Sequence, residues 1–232
     1  MSGSDQAVTN AGRGDELAYQ LAKLGKELKR DMEYANVGVE NAKAAGASGT
    51  ARESASVGTW YGGNIAGTST TAANFSTNGS PSASPAGTGA TAIAGGTNRT
   101  FTEALLKAGL KKSYELGGNP DVVLMSASHK QLASAFTGVA TMYKNADDKT
   151  VIGAVDVYVS DFGEVSFVPD RLQNANRVDI LEMDKWEISY LRPFQTKELA
   201  SSGDNDKRLL LTEWALTARS PNANYGIFNL TA

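Results

Sequence analysis

Cysteine is absent from this 232-residue chain, which excludes disulfides, thiolate catalysis and cysteine-based zinc sites. Histidine occurs once, at position 129, so imidazole chemistry has a single candidate. No apolar run approaches the ~20 residues that a membrane-crossing helix needs. The opening Met1-Ser2-Gly3-Ser4-Asp5 lacks the basic start and apolar core of a secretory signal. A positive excess is missing too. The formal net charge is -3 and the sequence pI is about 5.3, so there is no general basic footprint for nucleic acid. These absences suit a soluble protein made in a reducing cytoplasm. What is present is enough apolar sequence, 41% of residues with much of it alanine, for one large or two small domains.

One stretch organises the rest. Leu17, Leu21, Leu24, Leu28, Met32, Ala35 and Val39 recur in steps of three and four, the spacing of a single helical face. The spacing predicts one long amphipathic helix from Asp15 to about Asn41, on the order of 40 Å at 1.5 Å per residue. Lys23, Lys26, Lys29, Arg30 and Glu33 lie largely off the stripe. Asp15 and Glu16 put carboxylates where the helix dipole favours them. Residues 1–10 show no helical period and read as the tail of a strand or loop. So narrow an apolar face must lie across something, either an ordinary domain surface or distant parts of an elongated subunit.

From Gly46 to Asn98 the composition turns to Gly, Ser, Thr, Ala and Asn, with Trp60, Tyr61, Ile65, Phe75 and Ile93 as isolated large apolar residues. This reads as an irregular loop that buries little, with a short element near Trp60. Its 62–98 portion is the expected first site of proteolytic nicking. Order returns with a capping box, Thr100 as N-cap and Glu103 at N3. The helix it opens carries Leu105, Leu106, Leu110 and Tyr114, and stops at Gly117-Gly118-Asn119-Pro120. Val122–Met125 reads as a buried strand. A helix from Ser128 to Thr141 follows, capped by Ser126, with Leu132, Phe136 and Val139 inward. Val151–Ser160 and Glu164–Val168 read as strands joined at Asp161-Phe162-Gly163. Further strands are expected at Val178–Leu181, Glu187–Tyr190 and Arg208–Arg219. The last is apolar on both faces, as in a strand covered on both sides. The fold class is α+β.

Several local patterns imitate reactive sites. Asp161-Phe162-Gly163 copies the magnesium-binding tripeptide of protein kinases, but no kinase lysine strand or catalytic loop accompanies it. A hairpin turn accounts for it. Gly87-Thr88-Gly89 is not set between a strand and a helix, so it is no dinucleotide fingerprint. Asp204-Asn205-Asp206 begins like a calcium loop, yet Leu209 stands at the sixth position and Ala215 at the twelfth. His129 could pair with Ser126 or Ser128, but no nucleophile elbow surrounds it; a surface or capping residue is expected. Glu182, Asp184 and Glu187 cluster without a fixed separation. No residue is assigned a catalytic, cofactor-binding or metal-binding role, and no cofactor is implied.

The C-terminal half carries a more specific pattern. Val157-Tyr158-Val159-Ser160-Asp161-Phe162-Gly163 is followed by Val168-Pro169-Asp170-Arg171, then by Tyr190-Leu191-Arg192-Pro193-Phe194-Gln195-Thr196, Leu199-Ala200, Gly203-Asp204 and Glu213. Upstream stand Gly12-Arg13-Gly14-Asp15-Glu16-Leu17-Ala18-Tyr19-Gln20 and Glu27-Leu28-Lys29-Arg30-Asp31, with Phe101-Thr102-Glu103-Ala104-Leu105-Leu106 and Gly117-Gly118-Asn119-Pro120 between. In this order and spacing the chain resembles a family of tailed-bacteriophage major capsid proteins with the Hong Kong 97-type capsid fold. The likeness covers nearly everything outside 62–98.

The resemblance implies a peripheral domain in residues 1–61, with a spine helix at about 15–41. It implies a Gly/Ser/Thr-rich loop or insertion at 62–98, an axial domain at 99–190, and a return to the peripheral sheet at 191–232. Its implied function is non-enzymatic: identical subunits form hexamers and pentamers that close into an icosahedral shell around DNA, without sequence-specific contacts. Portal, scaffold and decoration proteins are the further partners it implies, with no membrane, and the location is the virion after assembly in the host cytoplasm. Family members carry an N-terminal arm and an extended loop before the spine helix. Only some ten residues precede the helix here, so the resemblance casts the chain as an engineered, processed or shortened member whose assembly stops at a monomer or small rings. The alternatives are an encapsulin-like compartment shell, which shares that fold, and an enzyme or binding module on an α+β scaffold.

Overall fold

A computed structural model describes residues 1–8, 15–61, 88–90, 92, 98–136 and 155–231. It divides into two compact bodies, Met1–Glu33 with Ile188–Ala215 and Tyr34–Glu187 with Leu216–Ala232. Helices and mixed sheets make the fold class α+β.

In the first body the chain opens on a short helix, α1 (Gly3–Ala7), instead of the expected strand or loop. Ser2 caps it by accepting from Asp5 N–H at 3.3 Å, a local bond that needs no apolar period. The long helix follows as α2 (Glu16–Glu33). Asp15 Oδ1 accepts from Leu17 and Ala18 N–H at 2.9 and 3.2 Å. Two long strands, β5 (Trp186–Leu199) and β6 (Lys207–Ala218), pair only with each other. Their cross-strand ion pairs, Arg192–Glu213 and Arg208–Glu198, run in opposite directions along the two strands, so the ribbon is antiparallel. Gly25 of α2 faces Leu210, and Lys29 Nζ sits 5.9 Å from the Phe194 ring.

This body departs from the sequence reading in three ways. The α-helix ends at Glu33 and finishes in a π-turn, Tyr34–Gly38, short of Asn41. The carbonyl of Val37 is drawn off by Arg177 Nη2 at 2.7 Å and Asn174 N–H at 3.3 Å, so it no longer serves a continuing helix. β5 is far longer than Glu187–Tyr190 and passes through Pro193, a residue that sheets accept in edge strands. Finally, β6 is not covered on both sides: Leu209 is 43% exposed and Leu216 is its one buried residue.

The second body is built on a five-stranded sheet. Its strands are β1 (Val122–Met125), β2 (Val157–Ser160), β3 (Gly163–Pro169), β4 (Val178–Leu181) and β7 (Tyr225–Ile227), in spatial order β2-β3-β1-β4-β7. β1 runs parallel to β3, and the other pairs are antiparallel. One face packs with α3 (Glu103–Glu115) and α4 (Ala127–Ser134) around Leu106, Leu110, Val123, Ile180 and Ile227. A second cluster joins Val37, Val57, Tyr61, Leu181 and Phe228.

Gly117, at φ +84°, ends α3. Its N–H reaches Tyr114 O at 3.0 Å and Gly118 N–H reaches Ser113 O at 2.9 Å, the paired bonds of a Schellman motif. The α3 cap is Thr102, not Thr100, and Glu103 stands at the first helical position. Buried Phe101 pulls the preceding chain inward, while Glu103 accepts from the Tyr158 hydroxyl at 3.1 Å. α4 is shorter than expected and turns Leu132 outward, burying His129 and Ala133; Phe136 is buried just beyond it. Val139 and the rest of that expected helix lie outside the described residues, as do 151–154 of the expected strand before β2. The low-complexity stretch does more than expected at its start. Ala55–Thr59 and Tyr61 are buried around a 3₁₀ turn at Val57–Trp60. Most of 62–98 lies outside the described residues.

Candidate functional site

His129 and Ser126 do meet, because α4 begins between them. Ser126 Oγ is 2.8 Å from His129 Nδ1, and His129 Nε2 is 3.2 Å from the Thr231 carbonyl. A carbonyl accepts only, so Nε2 carries the proton and Nδ1 accepts from Ser126. The ring is fully buried and meets Phe101 edge-on at 5.8 Å. This corrects the expectation of a surface or capping histidine: the imidazole ties α4 to the chain end. Burial lowers its pKa, partly offset by the Thr231 bond. Sequence offered no sign of this, since the acceptor lies 102 positions away.

The other candidates are equally occupied. Asp161-Phe162-Gly163 forms the β2–β3 turn, with Ser160 Oγ donating to Gly163 O at 2.8 Å and Phe162 against Tyr114. Glu182 pairs with Lys185 at 3.4 Å and accepts from Asn119 N–H, while Glu187 pairs with Arg219. Asp204 and Asp206 bond the first residues of the chain through their backbone. Among the described residues no three His, Asp or Glu groups gather as metal ligands would.

The strongest electrostatic centre among the described residues was not foreseen. Arg177, 1% exposed, donates through Nε to Asp179 Oδ2 at 2.9 Å, through Nη1 to Glu40 and through Nη2 to Val37 O. Gln173 Nε2 donates to the same Asp179 oxygen at 2.7 Å. Burial works to lower the Arg177 pKa, but Asp179 and Glu40 outweigh it and the net shift is upward. Burial raises Glu40 against the pull of Arg177, and burial with the Asp179 charge raises Tyr61 well above its ordinary range. A Cβ at Gly58 would strike both Glu40 and Arg177, so only glycine lets the 3₁₀ turn close over the pair. Among the described residues Arg177 and Asp179 are shut off from solvent, and Glu40 is 22% exposed at the margin. The centre pins together chain segments far apart in sequence.

What remains accessible is surface. On the ribbon Ile188, Tyr190, Leu191, Leu199 and Leu209 are exposed, Leu191 at 72%. An open groove of about 520 Å³ runs between α2 and the ribbon beside Leu17, Leu21, Leu24 and Leu199. On the second body Val157, Val159 and Val168 are exposed. Apolar groups displayed this way serve contact with other chains better than chemistry on small molecules.

The SU10 major capsid protein family matches residues 1–231. The chain belongs to that family. The major capsid protein of Escherichia phage Phieco32 is 26% identical over 258 residues, covering 97% of this chain and 71% of that protein. The chain is therefore a structural capsid subunit of a phage.

Proposed function

We propose that this capsid subunit adopts the Hong Kong 97-type fold and works by self-association, as hexamers and pentamers closing into an icosahedral head around DNA. Family membership across residues 1–231 carries this reading. In it, residues 1–61 and 191–232 form the peripheral domain, with α2 and its π-turn as the spine helix. Residues 99–190 form the axial domain, and 62–98 an inserted loop. The long α2 lying on a two-stranded ribbon supports a peripheral part in 1–33 and 188–215, whereas residues 34–61 and 216–232 pack with the body of the five-stranded sheet. The role is structural, with no reaction assigned. The acidic balance suits a shell that encloses DNA without gripping its phosphates. Portal, scaffold and decoration proteins are the other partners in this reading, and the mature location is the virion, reached after assembly in the host cytoplasm.

Light scattering and electron microscopy of the purified protein test it. Rings of five or six, or closed shells, are expected. A monomer at every protein concentration and ionic strength, both for this sequence and for one extended upstream, overturns it. Gene context separates the phage shell from an encapsulin-like compartment: neighbouring phage structural genes are expected.

A further inference from the structure

Chain order puts Ser126 at a junction. β1 ends at Met125 and α4 begins at Ala127, so Ser126 alone joins a central strand to a helix. An N-cap serine ordinarily turns its hydroxyl oxygen to an N–H of the first helical turn. Ser126 makes no such bond. Its Oγ lies instead 2.8 Å from His129 Nδ1. The Thr231 carbonyl holds the other ring nitrogen, so Nδ1 is the acceptor and the hydroxyl proton already points at a base.

A hydroxyl, a base and a group that orients the base stand here in line, the arrangement that activates a nucleophile. The ring is fully buried and meets Phe101 edge-on at 5.8 Å. Ser126 is half-buried, and Ala127 and Ser128 beside it are exposed, so the serine side of the pair is the one that faces solvent. Burial favours the neutral imidazole, the form that can take a proton. The first backbone bond of α4 runs from Lys130 N–H to Ser126 O. Among the described residues the N–H groups of Ala127 and Ser128 meet no backbone acceptor. They are donors available to negative charge that develops on a group bonded to Oγ.

We propose that Ser126 is a nucleophile that takes an acyl group from activated esters, with His129 as its general base. Oγ attacks the ester carbonyl carbon while its proton passes to Nδ1, and the carbonyl oxygen becomes an oxyanion. As the oxyanion collapses, the bond to the leaving oxygen breaks and the proton on Nδ1 departs with that oxygen. Neutral imidazole and a Ser126 ester remain. While the ring is charged, its Nε2–H bond to the Thr231 carbonyl steadies it. Ser128, exposed on the same helix, has no such base, because Ser126 and Thr231 occupy both ring nitrogens.

The probe is p-nitrophenyl acetate, applied to the full chain. One p-nitrophenol per chain is expected, with mass spectrometry placing the acetyl group on Ser126. Ser126→Ala is expected to lose the label and Ser128→Ala to keep it. His129→Gln, its folding checked by thermal melting, is expected to slow acylation at least a hundredfold. Only burial and the Thr231 bond shift the ring, and no charged side chain contributes. The wild-type rate should therefore be flat from about pH 8 to about pH 6.5 and fall below that as the ring protonates. A serine without a base would instead react about tenfold faster for each added pH unit, as its alkoxide fraction grows. Absence of label, equal label on Ser126 and Ser128, an undiminished rate in Ser126→Ala or His129→Gln, or that tenfold slope each overturns the assignment.

Discussion

At the scale of single residues, two buried polar groups hold the second body, and each makes a measurable prediction. Arg177 and Asp179 are 1% and 0% exposed. Removing one partner leaves the other charge buried and uncompensated, which costs about 3–5 kcal/mol. Arg177→Met is therefore expected to lower the denaturant midpoint sharply. Arg177→Met combined with Asp179→Leu should lose less than the sum of the two single changes; strict additivity in urea unfolding would count against the coupling. His129 behaves differently. Its folded pKa lies below the ordinary value of 6.5, so below pH 6.5 the unfolded chain binds the proton more readily. Stability is full above about pH 6.5 and falls as pH drops toward the lowered folded value, losing at most about 1.4 kcal/mol for each pH unit crossed. His129→Gln should flatten that slope between pH 7.5 and 5.5, measured by urea midpoints.

At the scale of elements, α2 lies on a thin support. Its stripe is half-buried at Leu17, Leu21 and Leu28, exposed at Leu24 and fully buried only at Met32. The ribbon it crosses is two strands wide, too narrow to wrap a helix. Leu28→Asp should consequently cost about 1–3 kcal/mol, in the ordinary range for a lost apolar contact plus a poorly solvated carboxylate. Lys26→Asp, at an exposed position, should stay within about 0.5 kcal/mol. Thermal melting of the two variants checks this; equal melting temperatures would show that the stripe packs on nothing. The helix end teaches the same lesson. It falls short of the expected Asn41 because Arg177 and Asn174 claim the Val37 carbonyl.

At the scale of the whole molecule, the charge balance decides how copies approach one another. A net charge of -3 over 232 residues leaves little long-range repulsion. Association through apolar patches and strand edges should then be nearly independent of salt, since only exposed charges beyond a screening length of about 10 Å at 0.1 M are affected. Light scattering from about 0.05 to 0.5 M salt is expected to show the same assembly state, given that surface electrostatics are screened across that range. Dissociation at the high end would assign the contacts to ion pairs between copies.

The amino-acid order alone determined what local chemistry controls. The stripe of α2, the Gly117-Gly118 stop, the strands at 122–125 and 178–181 and the turn at Asp161-Phe162-Gly163 were legible because each depends on neighbours within a few positions. The family resemblance was legible too, carried by the order of short motifs. What only the tertiary structure decided depends on distant partners. Glu40 finds Arg177 at a separation of 137 residues, and His129 finds Thr231 at 102. The two apolar faces of β6 suggested a buried strand, but one partner strand cannot cover them. Periodicity reports which face of an element is apolar; only packing says what, if anything, lies against it.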